Sequence, residues 1–103
     1  MKPVIIVSTF PNKTSITKIA NQLVKKKLVA CVNIIKISSV YAWKGKIEKQ
    51  PEYLALFKTI KKNQIVLKNE LRKLHPYDIP EIAEINVDSI NQSYLKWLVD
   101  STR

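Results

Sequence analysis

The segment His75-Pro76-Tyr77-Asp78-Ile79-Pro80-Glu81-Ile82 concentrates more chemistry than any other stretch of this chain. It holds the only histidine, two carboxylates, a phenol and two prolines. The only cysteine, Cys31, lies well upstream, with Lys58 between them. A thiolate, an imidazole and carboxylate oxygens form a donor set that copper(II) accepts, because that ion takes nitrogen and oxygen ligands and tops the divalent affinity series. Cys31, His75, Asp78 and Glu81 are therefore the candidate metal ligands. No CxxC or HxxxH spacing supports them, and each has a plain alternative. Cys31 also reads as a small buried strand residue, and His75 as a helix-end residue that bonds the last carbonyls. Asp78 and Glu81 would alternatively serve as an acid–base pair, with Lys58 as nucleophile or anion anchor. No Ser/His/Asp or Cys/His signature accompanies them, and solvated carboxylates at the mouth of a strand are the commoner case. The chain does not read as an enzyme.

The prolines define what must position these groups. Pro76 disfavours a helical conformation at His75, so a preceding helix stops by Leu74 or His75. Pro80 fits the mouth of a strand better than its middle. The segment is thus a stiff extended connector, either a structural corner or a preformed site.

At 103 residues the chain reads as one domain, residues 1–103. No run approaches the ~20 apolar residues that span a bilayer. The start, Met1-Lys2-Pro3-Val4-Ile5-Ile6-Val7, reads as a first strand and not as a secretory signal. A lone cysteine cannot form an intrachain disulfide, which makes a cytoplasmic address the default. Eighteen Lys and Arg against 8 Asp and Glu give a net charge of +10, which raises nucleic acid as a partner. Sixteen of those eighteen are lysine, and they are dispersed along the chain; specific recognition leans on arginine. The expectation is no specific nucleic acid and no membrane.

Taken in order, Pro3 to Thr9 reads as a central strand. Helix 1 follows to about Lys27, capped by Asn12 or Thr14, with Ile16, Ile19, Ala20, Leu23 and Val24 as its apolar stripe. Strand 2 runs from Ala30 to Trp43, with an irregularity expected at Ser38-Ser39. Lys44-Gly45, holding the only glycine, marks a tight hairpin with positive φ. Strand 3 runs from Lys46 to about Ile60, with a bulge or bend expected at Pro51. Arms this long overhang a small domain and call for pairing outside their own subunit. Helix 2 covers Asn63 to Leu74, with Asn63 as cap and Val66, Leu67, Leu71 and Leu74 inward. Strand 4 spans Glu81 to Val87, and a last helix Asn91 to Ser101 turns Tyr94, Leu95, Leu98 and Val99 inward. The order βαββαβ plus a terminal helix is the ferredoxin-like arrangement, an α+β fold with strands 1 and 3 central and both crossover helices on one face.

Five blocks carry a resemblance: Ala30-Cys31-Val32-Asn33, Tyr41-Ala42-Trp43-Lys44-Gly45-Lys46, Phe57-Lys58-Thr59, the connector from His75 to Ile82, and Tyr94-Leu95-Lys96-Trp97-Leu98. In this order and spacing the chain resembles the CutA divalent-cation tolerance family. The resemblance implies a ferredoxin-like subunit, a homotrimer joined through extended strand 2–strand 3 arms, and a role in divalent-metal tolerance with copper(II) as the usual ion. It implies aromatic packing positions at Trp43 and Trp97, and clefts near Tyr77 and Lys58 shared by subunits. Two other classes share this topology. An RNA-recognition motif is set aside because Tyr53 to Ile60 lacks the signature's glycine and is too apolar for an open RNA platform. A small-ligand signalling trimer of the PII type remains as the alternative, by analogy of architecture.

Overall fold

The structure is a computed structural model that describes residues 1–103. Its elements are β1 (Pro3–Phe10), α1 (Lys13–Lys25), β2 (Cys31–Trp43), β3 (Lys46–Ile60), α2 (Gln64–Leu74), β4 (Ala83–Asn86) and α3 (Gln92–Ser101), with a 3₁₀ turn at Lys61–Asn63. The four strands form one antiparallel sheet in the order β2-β3-β1-β4, so β1 and β3 are central as the connectivity requires.

The register sorts the side chains. Val4, Ile6, Ser8 and Phe10 of β1 lie opposite Thr59, Phe57, Ala55 and Tyr53 of β3. This face packs on Ile16, Ile19 and Leu23 of α1 and Leu67 and Leu71 of α2, forming the core. The alternate residues, Ile5, Val7 and Thr9 opposite Lys58, Leu56 and Leu54, point the other way. Only α3 covers that second face, and only at one end. There Tyr94 lies 5.7 Å from the Lys58 ammonium and Leu98 is fully buried. The far end stays open.

Two stripe residues lie outside the core. Val24 is 44% and Val66 52% exposed. At ~100° per residue each sits about 100° from the centre of its helix's buried stripe, on the flank. Asn12 is the α1 cap, its Oδ1 accepting from the Ser15 N–H at 2.8 Å. Asn63 does not cap α2: the 3₁₀ turn leads into that helix, and Asn63 Nδ2 donates to Thr59 Oγ1.

The long strands are smoother than their sequences suggest. Ser38 pairs with Pro51 in an unbroken one-to-one register from Cys31↔Lys58 to Trp43↔Lys46, with no bulge. The β1 neighbour ends at Phe10↔Tyr53, so Pro51 lies where β3 has one free edge, and a missing N–H there leaves no ladder bond unmade. β4 is shorter than its alternation suggests, four residues from Ala83, because the connector ahead of it does not pair with β1.

The hairpin closes through a two-residue turn with Lys44 at φ 49° and Gly45 at φ 77°. Positive φ at both positions matches the right-handed twist of the arms, and lysine is a poor residue for it. Replacing Lys44 by Asn should raise stability by a few tenths of a kcal/mol, and Gly45→Ala should lower it by about 1 kcal/mol, both read from urea midpoints. No atom crowds a Cβ at Gly45, so the loss would report backbone strain alone.

Candidate functional site around the His75 connector

Helix α2 ends at Leu74, and His75 N–H still reaches the Leu71 carbonyl at 2.9 Å while its own backbone is extended. Pro76 makes that break obligatory. The chain then passes around the end of β1, from the helix-covered face of the sheet to the open one.

His75 stays behind, on the core side. Its ring stacks on Phe10 with centroids 4.3 Å apart. The Tyr77 N–H donates to Nδ1 at 3.2 Å, so the neutral ring carries its proton on Nε2 and donates it to Ser8 Oγ at 3.0 Å. Burial holds the imidazole below its usual 6.5. A Thr9 backbone hydrogen bond and the Glu52 charge pull weakly the other way.

Tyr77 lies on the open side. Its hydroxyl donates to Glu52 Oε2 at 2.7 Å, a contact across 25 positions of sequence. Burial first, then the bond to Glu52, its charge and that of Tyr41, push the phenol well above its usual 10. Around this pair opens a cavity of about 690 Å³. The connector contributes Tyr77, Asp78, Ile79 and Glu81 to its wall; β2 contributes Tyr41 and Trp43, and β3 contributes Glu52 and Leu54.

The expected donors are thus distributed unevenly. Asp78 and Glu81 come together at the rim, both exposed and neither paired with a cation. His75 is close in sequence, but both its nitrogens already have partners. Cys31 sits opposite Lys58, six residues along β3 from Glu52, roughly 20 Å at ~3.4 Å per residue. With Lys58, Tyr94 and Trp97 it belongs to the α3-covered end, where the two aromatic rings lie 5.4 Å apart. No three His, Cys, Asp or Glu side chains of the chain converge as a metal site.

Two residues of this arrangement were not singled out by sequence reasoning: Ser8 and Glu52. Glu52 left a signal, being a carboxylate in register with Leu54 and Leu56 on an apolar stripe. Ser8 left none, because its role depends on a partner 67 positions away.

The buried neutral histidine predicts an acid-side stability loss. Because its folded-state pKa is lowered, the unfolded chain binds the proton more readily, so its contribution is complete above pH 6.5 and fades as pH falls below it. Glu84, held below its usual 4.5 by Lys61 and Lys68, acts only in a lower window. His75→Ala should remove the slope just below pH 6.5 and cost about 2 kcal/mol through the lost stacking and the orphaned partners, measured by denaturant unfolding across pH.

Comparison with known proteins identifies the family to which this fold and sequence belong. The sequence model of the family described as CutA1 divalent ion tolerance protein matches residues 4–101. The divalent-cation tolerance protein CutA of Pyrococcus horikoshii is 41% identical over 97% of this chain and 98% of its own. That of Thermotoga maritima is also 41% identical, over 95% and 97%. Among solved structures, CutA1 from Pyrococcus horikoshii superposes with a TM-score of 0.94 at 40% identity, covering 97% of this chain and 98% of that one. CutA1 from Ehrlichia chaffeensis gives 0.96 at 32% identity, covering 100% and 98%. With sequence and fold matched over nearly its whole length, the chain belongs to the CutA1 divalent ion tolerance family.

Proposed function

We propose that this chain works as a non-enzymatic homotrimer that binds divalent metal ions, copper(II) among them, and takes part in the response to them. The observation that supports this most is the pair Asp78 and Glu81. They are two exposed carboxylates with no cation partner, held at the rim of a cavity by a proline-stiffened connector in a chain whose relatives are named for divalent-cation tolerance. Two carboxylates fit a hard or borderline divalent ion but do not saturate it. Donors from a neighbouring copy or water complete the shell. His75 supports the connector from the core side, holding Tyr77 and thereby the rim. Cys31, at the opposite end of the sheet, offers a separate soft thiol.

The trimer is supported by what a lone subunit leaves exposed. β3 continues from Tyr53 to Lys46 with no β1 beside it, and Ile47 on this arm is 77% exposed. The open face adds half-buried Val7, Ile37 and Leu54. An edge that long and a face that apolar are normally covered. We place the protein in the cytoplasm. No helix is long and apolar enough to cross a membrane, although the Arabidopsis relative is named as chloroplastic and that of Archaeoglobus fulgidus as periplasmic.

A second reading, a small-ligand signalling or scaffold trimer in which metal binding is incidental, is favoured by one specific observation. The cavity of about 690 Å³ falls within the ~300–1,000 Å³ usual for small-molecule sites.

Two measurements test the primary reading. Light scattering at micromolar concentration should give a mass close to three times 11.9 kDa, and a monomer or dimer would sink the assembly. Calorimetry with copper(II) should show binding at least tenfold weaker, about 1.4 kcal/mol, in the double variant Asp78→Asn, Glu81→Gln, with melting unchanged because both residues are exposed. If Cys31→Ser abolishes binding and the double variant does not, the ion sits at the other end of the sheet.

A further inference from the structure

We infer that the outer face of the helical layer docks double-stranded DNA through its phosphates, without reading its sequence. Lysines that are dispersed along the chain are gathered by the fold. α1 and α2 pack on the same face of the sheet, joined across their surface by the Lys26–Glu70 pair. Residues 13–27 and 61–74, which hold both helices, contain ten of the eighteen Lys and Arg. They contain only one of the eight carboxylates, Glu70. Nearly all of the net charge therefore sits in this layer, and the rest of the chain is close to neutral. The layer is turned away from the open face, so it stays in solvent whether the subunit stands alone or neighbouring copies cover that face.

Much of this charge has no partner. Nine of the ten basic side chains are exposed, and Lys68 alone is half-buried. Lys26 and Lys73 share Glu70, and Lys61 and Lys68 share Glu84. Lys13, Lys18, Lys25, Lys27, Lys62 and Arg72 have no carboxylate within 4.0 Å.

Three of these six cations are held against the preference of the local backbone. Lys27 follows the end of α1 at φ 60°, the left-handed conformation that favours glycine. Its N–H donates to the Val24 carbonyl at 3.0 Å and the Leu28 N–H to the Leu23 carbonyl at 3.1 Å, the closing turn in which glycine is the usual residue. Lys13 opens α1, and Lys62 stands in the turn that leads into α2. The helix dipole disfavours a cation at both places, and neither helix has an acid in its first turn to offset it. A solvated surface shaped by stability alone favours glycine at the first position and Asp or Glu at the other two. Lysine at all three suits an anion supplied from outside.

The kind of polyanion follows from what the layer lacks. It holds no Phe, Tyr or Trp, so it offers neither a stacking platform for single-stranded bases nor the aromatic anchors of a lipid interface. Of its exposed aliphatic residues, Val24 and Val66 lie on the flanks. Only Ile65 projects outward, about 160° around the helix from buried Leu67, which is little to insert into lipid. A single arginine, Arg72, gives no set of forks for reading base edges. RNA is read mainly through unstacked bases laid on aromatic side chains, which this face does not supply. What remains is a field of lysine point charges along ~20 Å of helix. Duplex DNA matches it, with a phosphate every ~1.7 Å of its axis whatever the sequence.

The experiment titrates the intact protein into two labelled DNA duplexes of unrelated sequence, the RNA duplex of one of them, and vesicles of phosphatidylcholine with phosphatidylserine. Both DNA duplexes should bind with the same micromolar Kd at about 50 mM salt, weakening at least tenfold by about 150 mM. Lys27→Gly should raise the urea midpoint and yet weaken DNA binding several-fold, with a shallower salt dependence. A lysine present only for the fold would not split the two readouts. Lys13→Gln combined with Lys62→Gln should likewise weaken binding without loss of stability. Lys96→Gln takes the same charge as Lys27→Gly from α3, outside the layer, and should leave binding unchanged. Equal losses from Lys96→Gln and Lys27→Gly would make the effect one of net charge and overturn the proposal. Preference for one DNA sequence or for the RNA duplex also overturns it, as does vesicle binding without DNA binding. No DNA binding at the lower salt ends it outright.

Discussion

The pairing of β1 with β3 is the constraint on which the rest of the structure depends. Eight consecutive pairs fix which side chains meet the helices and which face away. A slip of β1 by one residue would exchange Ile6, Ser8 and Phe10 for Ile5, Val7 and Thr9, taking the Phe10 ring out of the core to the open face. The same register sets the site. It puts Ser8 and Phe10 on the core side to receive His75, and Val7 and Thr9 on the open side as the floor of the cavity. Glu52 faces that cavity because it keeps the phase of Leu54 beyond the point where β1 ends.

Much of this was legible in the sequence where a local cause acts alone. Pro76 ends α2 at Leu74, Lys44-Gly45 turns with positive φ, and the βαββαβ order gives the strand arrangement. Local reasoning failed where a residue's setting depends on a neighbour in space. Pro51 predicts a bulge only if both edges of β3 are occupied, and β1 stops short of it. Val24 and Val66 look inward by composition, but their angle from the stripe places them on the flanks. Of the candidate ligands, the rim carboxylates come together because four residues of rigid connector carry both. Cys31 and His75 are separated by the sheet itself, which sequence spacing does not encode.

The connector joins two environments of opposite character. On one side an imidazole is kept neutral by a core of phenylalanine and leucine; on the other a carboxylate is kept close to a phenol in a groove of aromatic rings. Two hydrogen bonds span the distance. The Tyr77 N–H is held by His75 Nδ1, and the Tyr77 hydroxyl holds Glu52. Tyr77 is therefore clamped at both its backbone and its tip, and the Pro76 ring removes much of the remaining freedom between the clamps.

That clamp has a direction. Protonating His75 would turn Nδ1 from acceptor to donor, facing it against the Tyr77 N–H, and would bring a charge next to Phe10. The strain would fall on the Tyr77 backbone, one residue before Asp78. Under the proposed function, a divalent ion at the rim would depend on Asp78 staying where the connector puts it. Binding there would then favour the neutral ring, and the neutral ring would favour binding, by the reciprocity that holds for any two coupled equilibria. The magnitude is bounded by how much the imidazole prefers its neutral form in the fold. The histidine thus braces the Tyr77 backbone that leads to the rim carboxylates.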